Sequence, residues 1–567
     1  MRGRKVISLL AAVLLVASVV AACAQAPAAP AAKPAQEAPK PAQDAAASKP
    51  APAQQPAPAQ QPAPAAPAKA SAKRGGTLRL PIGADPGFNP LVFFDPNASL
   101  VNNMLFSSLT RPDPKTLEPL PNLAKKWETS PDGLTWTFYL VDNAKFHDGT
   151  PLTAEDVKWT FEAHLDPAIN SQRRADFSAI EKIEVVDKLT VRFKLKNPYA
   201  PLAVQFYHKT PVILPKHILE GKDQRNFTDF NKKNPVGSGP YKIKEYVAGD
   251  HITLVANDDY FRGRPNIDTV IFKIVPDANT QVAQLKSGEL DLATIAPASM
   301  GAIQADASLT VDENPLVQHY VVNLNNKFPL FADAKVRQAM VYGTDRKEII
   351  DAAMLGKASF PVATIPDSIP WAFDSSAPKI QYDAAKAKAL LAEAGWKPGA
   401  DGVLAKNGER FKFTLTGDKG SIREKIATIL QQQYKKLGMD VDLEIVEWGV
   451  FTTQKLFVKK YDALVVFWDT SPDADQLSYY GTGGGYNFTD YSNPDVDKVL
   501  QDARSEVDAA KRAALYKKFQ QIYNENPASV PLFYPKELLA HKKALVGVPP
   551  TWLVYAVRYV EDWSLGQ

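Results

Sequence analysis

The stretch ALVVFWDTSPDADQLSYYGTGGGYNF, residues 463–488, joins an apolar run to acids, aromatic residues and glycines. The run ALVVFW (463–468) is apolar on both faces, which is typical of a central parallel strand covered by helices. Ligands of open α/β sheets bind just beyond the carboxyl ends of the strands. The acids and aromatic residues after the run are therefore candidates for a ligand site.

The segments before this strand alternate between strand and helix patterns. FKFTLT (411–416) precedes a helical stretch whose apolar face ends at Gly438, a residue suited to a left-handed cap. VDLEIV (441–446) reads as the next strand. The apolar face of the helix consists of Ile422, Ile426, Ile429, Leu430 and Leu437. The chain beyond about residue 330 is therefore predicted to form an α/β lobe.

The earlier part of the chain favours antiparallel sheet. LTWTFYL (134–140) alternates apolar and polar residues, and IEVV (183–186) with LTVRFKL (189–195) predicts a hairpin. Other predicted strands are GGTLRLPI (75–82), YKIKEYV (241–247) and ITLVAN (252–257). Near His147 and Asp148, local structure is favoured over chemistry, because Thr153 and Asp156 have capping-box spacing.

Composition excludes several classes of function. A chain of 567 residues is too long for one ordinary core, so two or more lobes are expected. The 66 basic residues nearly balance the 62 acidic ones, which argues against a nucleic-acid partner. A single cysteine excludes internal disulfides, and no HExxH, GxSxG or Walker-type motif is present. The 7 histidines are scattered, which disfavours nickel or haem as cargo, and no metal site or cofactor is predicted.

The first 73 residues read as targeting sequence and tether. A basic start, MRGRK, leads into 17 apolar residues and then VAAC (20–23), which resembles a bacterial lipobox. That resemblance implies a signal peptide over 1–22 and lipidation of Cys23, with an uncleaved anchor as the alternative. Residues 23–73, rich in Ala, Pro and Gln, predict a disordered tether. The expected location is extracytoplasmic, on the outer face of the cell membrane.

Several long segments resemble one family. LAKKWETSPDGLTWTFYLVDNAKFHDGTPLTAEDV (123–157), NPVGSGPYKIKEY (234–246), VVNLNNKFPLFADAKVRQAMVYGTDRKEII (321–350) and YDAAKAKALLAEAGW (382–396) resemble the family 5 extracellular solute-binding proteins. NPDVDKVLQDARSEVD and PASVPLFY continue the likeness in the same order. These proteins are the dipeptide, oligopeptide and nickel receptors of bacterial ABC importers, and the likeness covers nearly all of residues 75–567.

The resemblance implies a fold and a function. The fold is α/β, a two-lobed periplasmic-binding-protein-like fold of class II and the large three-subdomain type, with a hinge and an interlobe ligand cleft. Lobe I with a β-rich extra subdomain is expected over 74–317, lobe II over 318–534, and a C-terminal return to lobe I over 535–567. The crossings are placed near Val317–Asn325 and Leu532–Lys536. The implied protein is a non-enzymatic monomer that delivers peptides to an ABC permease and its ATPases.

The ligand contacts are expected mainly in the loop after ALVVFW. Peptide receptors carry an acid three residues after a tryptophan here; this chain has Ser471, with Asp469 and Asp473 as the alternative amine anchors. Helix capping with solvent exposure is the alternative interpretation of Asp473 and Asp475. The complete set of predicted ligand contacts is Trp468, Asp469, Ser471, Asp473, Tyr480, Tyr486, Asn487, Phe488, Trp371, Phe88 and Asn89. Oligosaccharide or another small solute is the second ligand class, and a secreted hydrolase or surface adhesin is a distant alternative.

Overall fold

The computed structural model describes residues 74–93, 95–377 and 379–566. The predicted signal peptide, the lipidation site Cys23 and the tether lie outside these residues. Within the described ranges, no helix is both long and apolar enough to cross a membrane.

The strands, in chain order, are β1 (Thr77–Ile82), β2 (Thr110–Pro112), β3 (Pro119–Pro121), β4 (Ala124–Thr129), β5 (Thr135–Leu140), β6 (Ile180–Asp187), β7 (Thr190–Leu195), β8 (Tyr241–Val247), β9 (His251–Ala256), β10 (Thr269–Ile274), β11 (Leu292–Ile295), β12 (Leu309–Pro315), β13 (Gln318–Leu324), β14 (Ala358–Ser359), β15 (Lys397–Pro398), β16 (Leu404–Lys406), β17 (Glu409–Arg410), β18 (Lys412–Asp418), β19 (Asp440–Val446), β20 (Ala463–Asp469), β21 (Ser529–Lys542), β22 (Leu545–Val546) and β23 (Ser564–Leu565).

The α-helices are α1 (Pro96–Leu105), α2 (Ala154–Leu165), α3 (Leu202–Gln205), α4 (Lys216–Leu219), α5 (Thr228–Lys232), α6 (Ala278–Ser287), α7 (Met300–Gln304), α8 (Ala334–Tyr342), α9 (Arg346–Met354), α10 (Ala384–Glu393), α11 (Ile422–Lys436), α12 (Trp448–Val450), α13 (Leu477–Tyr480), α14 (Pro494–Ser505), α15 (Ala509–Glu525) and α16 (Leu553–Ala556). A π-helical segment, Phe451–Leu456, follows α12.

A four-stranded antiparallel sheet of order β4-β5-β7-β6 forms in the first part of the chain. The predicted hairpin is confirmed as β6 paired with β7, with its turn at residues 188–189. Helix α2 begins at the predicted capping box, in which Thr153 and Asp156 bond each other's backbone. Phe138, Phe161 and Phe193 from these elements share one aromatic core.

A second four-stranded sheet has the order β1-β10-β9-β8. Strand β1 runs parallel to β10, while the other pairs are antiparallel. The C-terminal segment contributes Leu553, Val560 and the fully buried Trp563 to the same core. The C-terminal segment therefore packs against β1, the first strand of the described residues.

An eight-stranded sheet positions the segment 463–488. Its path is β11-β21-β13-β20-β18-β19, and β12 and β14 also pair with β21. Strand β20 is central, as predicted, but it is parallel only to β18 and antiparallel to β13. The expectation of a purely parallel environment is therefore wrong, because an apolar run fixes burial on both faces and not the direction of the neighbours.

Helix α11 covers this sheet with the predicted apolar face. Ile426 and Leu430 are fully buried, and the chain turns at Gly438 with φ +89°, confirming the left-handed cap. A side chain at Gly438 would also lie 3.1 Å from the carbonyl oxygen of Gly402, so both conformation and space favour glycine here.

Candidate functional site

Three strand ends meet at one edge of the eight-stranded sheet. In the β13–β20 pair Gln318 stands opposite Asp469, and Tyr320 stands opposite Phe467. Strand β18 runs parallel to β20, so its last residue, Asp418, lies at the same carboxyl edge. The edge thus carries two carboxylates beside half-buried aromatic residues, where ligands of α/β sheets usually bind.

Asp469 is a half-buried carboxylate whose side chain has one polar partner, Gln318, among the described residues. Gln318 donates a hydrogen bond from Nε2 to Oδ1 of Asp469 at 2.7 Å. Burial raises the pKa of the Asp469 carboxyl, while this hydrogen bond and the charge of Lys209 oppose the rise. A carboxylate can accept more than one hydrogen bond, so Asp469 keeps acceptor capacity for a ligand amine.

An aromatic stack lies on the same face of the sheet as Asp469. The ring of Tyr320 is 5.6 Å from that of Phe467 and 4.7 Å from that of Phe533, to which it is nearly parallel. Tyr320 and Phe467 are only half-buried. Sequence reasoning missed this stack, although the alternation of strand residues places Phe467 and Asp469 on one face.

A second aromatic cluster lies on the opposite face of β20. Trp468 stacks on Phe488 with a ring separation of 5.6 Å, and Tyr479 stacks on Tyr486 at 5.3 Å. Trp468 also lies 5.7 Å from Tyr479, which joins the two pairs. The structure therefore brings together the predicted Trp468, Tyr486 and Phe488 and adds Tyr479. Because adjacent strand residues face opposite ways, this cluster and Asp469 do not form one continuous wall.

Asp473 is held inside the protein by an ion pair. Arg512 on α15 donates from both terminal nitrogens, one of them at 2.7 Å, to the two carboxylate oxygens. Arg512 in turn lies 5.2 Å from the ring of Trp371. Burial raises the pKa of Asp473 to about 6, with the guanidinium opposing that rise. The alternative interpretation as an exposed helix cap is wrong, because Asp473 is 1% exposed and both oxygens are engaged.

Three other predicted residues shape the loop. Asn487 is buried, and its amide donates to the carbonyls of Gly481 and Tyr491 at 2.8 Å each. Tyr480 is also buried, with its hydroxyl 3.3 Å from Nε2 of His319. The hydroxyl oxygen of Ser471 accepts a hydrogen bond from the Asp473 backbone.

Phe88 and Asn89 are not brought to this edge. Both are 0% exposed, and Phe88 packs edge-on against Tyr246. The Asn89 amide donates to Oδ1 of Asn231 at 3.0 Å and fixes a loop in the N-terminal core.

A strained loop from the N-terminal half supplies Lys209, the cation near Asp469. Lys209 and Thr210 both have positive φ, 54° and 58°, which is costly for residues other than glycine. Arg173 holds this loop by donating to the Lys209 carbonyl at 2.9 Å, and Nδ1 of His208 lies 2.9 Å from the Tyr555 hydroxyl. No local sequence pattern predicts two consecutive residues with positive φ here.

The part of the chain that the structure describes contains no candidate metal site. No group of three or more His, Cys, Asp or Glu side chains there could hold a metal ion. A cavity of 690 Å³ lies apart from Asp469, between the turn Pro131–Gly133 and helices α14 and α15.

The sequence matches a known family over most of its length. The model of the bacterial extracellular solute-binding proteins, family 5, matches residues 118–490. The chain belongs to this family. Family 5 proteins are extracytoplasmic substrate receptors and not enzymes, so the predicted class, location outside the cytoplasm and two-lobed fold are confirmed.

The chain is similar to two receptors, AppA and NikZ. It is 36% identical over 501 residues to the oligopeptide-binding protein AppA of Bacillus subtilis. The aligned region covers 85% of this chain and 90% of AppA. The structure of that AppA with a nonapeptide matches at 32% identity and a TM-score of 0.71, covering 88% and 100% of the two chains. NikZ of Campylobacter jejuni, solved with Ni(L-His), matches at 27% identity and a TM-score of 0.72, covering 86% and 99%.

Proposed function

We propose that this protein is the peptide receptor of an ABC importer, and that Asp469 binds the ligand amine. The observation that carries the proposal is the geometry of Asp469. It lies at the carboxyl edge of the sheet, is oriented by Gln318, and forms no ion pair within the described residues. The family and the similarity to an oligopeptide receptor support peptides as the ligand class.

The stack of Phe467, Tyr320 and Phe533 then forms the floor of the ligand site. The half-buried rings of Phe467 and Tyr320 can pack against a peptide backbone and apolar side chains, and the fully buried Phe533 supports Tyr320 from below. The predicted contacts Ser471, Asp473, Tyr480 and Asn487 support the loop from behind, because their polar groups are engaged within the protein.

Lobe boundaries at residues 317–318 and 534–535 remain part of the proposal. Strand β21 supports them, because residues 529–533 pair with β13 whereas residues 536–542 pair with β12. A hinge across these neighbouring strands would let the lobes close over a ligand. In the closed arrangement the Lys209 loop and Asp469 would lie on opposite sides of the peptide.

Delivery completes the proposed role. Lipidation at Cys23 would hold the receptor at the outer face of the cell membrane, with residues 24–73 as the tether. The closed, loaded receptor would then dock as a monomer on its permease, and binding energy would be used to shift the open and closed populations.

Oligosaccharide is a second candidate ligand, favoured by the second aromatic cluster. Tyr486 is 48% exposed and stacks on Tyr479, so the cluster offers an accessible ring face.

Calorimetric titration with a nonapeptide tests the proposal. Asp469→Asn is expected to weaken binding roughly tenfold or more, since a hydrogen bond to a charged group contributes about 1.5–3 kcal/mol. Asp442→Asn, which changes an exposed carboxylate paired with Lys412 on the neighbouring strand, is the matched control. N-acetylation of the peptide should reproduce the loss in the wild type. Equal binding of the acetylated and free peptides would refute the assignment of Asp469.

A further inference from the structure

A second carboxylate at the same edge is paired with a cation. Strand β18 ends at Asp418, and helix α11 begins at Ile422. Arg423 donates from Nε to one oxygen of Asp418 and from a terminal nitrogen to the other at 2.6 Å. The side chains of Arg423 and Asp418 are 11% and 4% exposed, so the pair is largely shielded from water.

This ion pair lies beside the face that carries Asp469. The guanidinium of Arg423 lies 5.4 Å from the ring centre of Phe467 and 5.0 Å from that of Trp448. Phe467 is two strand positions from Asp469, a separation of roughly 7 Å. One face therefore carries a carboxylate with acceptor capacity at one end and an internally neutralised cation at the other.

We propose that the ion pair of Asp418 with Arg423 selects against short peptides. The terminal carboxylate of such a peptide would reach this ion pair. The inference rests on the proposed function, in which Asp469 binds the ligand amine. In this proposal the peptide runs from Asp469 back along β20. An extended peptide advances about 3.3 Å per residue, so the carboxylate of a bound dipeptide would lie roughly 7 Å from Asp469, at the level of Phe467.

A carboxylate at that position meets an unfavourable charge. It must either lie beside Asp418 or displace it from Arg423, and displacement leaves a buried carboxylate without its partner. A longer peptide presents only neutral backbone there and meets neither cost. The ligands of this receptor are therefore oligopeptides, and the Asp418–Arg423 pair is the residue pair that sets their minimum length.

Titrations of the wild type test this without any substitution. Dileucine, dileucine amide and a nonapeptide are compared by calorimetry, and the amide is expected to bind at least as tightly as the free acid. Tighter binding of the free acid than of the amide would overturn the inference. It would show that a ligand carboxylate binds favourably beside the Asp418–Arg423 pair.

Substitutions of Asp418 and Arg423 then test whether this ion pair causes the weaker binding of the free dipeptide. Asp418→Asn is expected to tighten dileucine binding at least tenfold, or about 1.4 kcal/mol, while the amide and the nonapeptide change less than threefold. The double variant Asp418→Asn with Arg423→Gln should lose the gain, and Asp442→Asn should match the wild type. Equal changes for acid and amide, or a gain that persists in the double variant, would overturn the inference.

The two proposals fail in different ways. If no variant and no wild-type sample binds the nonapeptide, the peptide receptor role itself is wrong and the inference falls with it. If the nonapeptide binds but the acid and the amide respond identically to Asp418→Asn, only the role of the ion pair is wrong.

Discussion

Glu537, in strand β21, is a buried carboxyl group whose hydrogen-bond partners are neutral. It is 7% exposed, and it accepts hydrogen bonds from the Leu553 backbone at 2.8 Å and the Thr294 hydroxyl at 3.4 Å. Burial raises its pKa from the ordinary 4.5 to about 7. The folded protein therefore keeps a proton on Glu537 at pH values where the unfolded chain has released it.

The sign and size of the effect follow from that difference. Stabilisation by the retained proton is fully present below about pH 4.5 and is lost as the pH rises through about 7. At about 1.4 kcal/mol per pH unit, the loss is on the order of 3 kcal/mol. Glu537→Gln keeps a hydrogen-bond acceptor and has no charge to bury. The variant should gain about 3 kcal/mol relative to the wild type between pH 4.5 and pH 8.

Urea unfolding followed by tryptophan fluorescence across this pH range measures the difference. Glu393→Gln, an exposed glutamate paired with Lys335, is the control and should show no such trend. A difference between Glu537→Gln and the wild type that is constant with pH would refute the reasoning, as would a relative loss of stability of the variant above pH 7.

Three further sets of substitutions test the ion pair, the packing and the ligand face. Arg512→Met leaves Asp473 buried without its partner and should cost roughly 3–5 kcal/mol in urea unfolding, and adding Asp473→Asn should recover most of the loss. Gly237→Ala places a Cβ 1.8 Å from the Leu105 carbonyl oxygen, so we expect about 1–3 kcal/mol or more of destabilisation and a lower melting temperature; an unchanged melting temperature would contradict the packing. Phe467→Ala should weaken nonapeptide binding about tenfold in calorimetry, and Trp468→Ala on the opposite face less than threefold; the reverse order would place the peptide on the wrong face.

Local patterns predicted local structure well. The hairpin of β6 and β7, the capping box at Thr153 and the left-handed turn at Gly438 depend on neighbouring residues, and all three were confirmed. The direction of the strands next to β20 was not predictable in the same way. Strand β13 comes from more than a hundred residues earlier in the chain, and an apolar run carries no information about that partner.

The candidate site divides along the same line. Asp473 lies in a loop of acids and glycines, and its partner Arg512 is 39 residues away on helix α15. No sequence pattern therefore indicates the ion pair. The separation of Asp469 from Trp468 could have been predicted, because strand residues alternate between faces. The strained Lys209 loop could not, since its two positive φ values occur where residues distant in sequence, Arg173 and Tyr555, hold the loop.

We propose that this family 5 receptor binds peptides through their amino terminus at Asp469. The most direct measurement is native mass spectrometry of the purified protein, followed by denaturation and identification of the released small molecules. We expect peptides longer than two residues to co-purify with the wild type and to be depleted in Asp469→Asn, with Asp442→Asn unchanged. A released glycan, or peptides retained equally by Asp469→Asn, would contradict it.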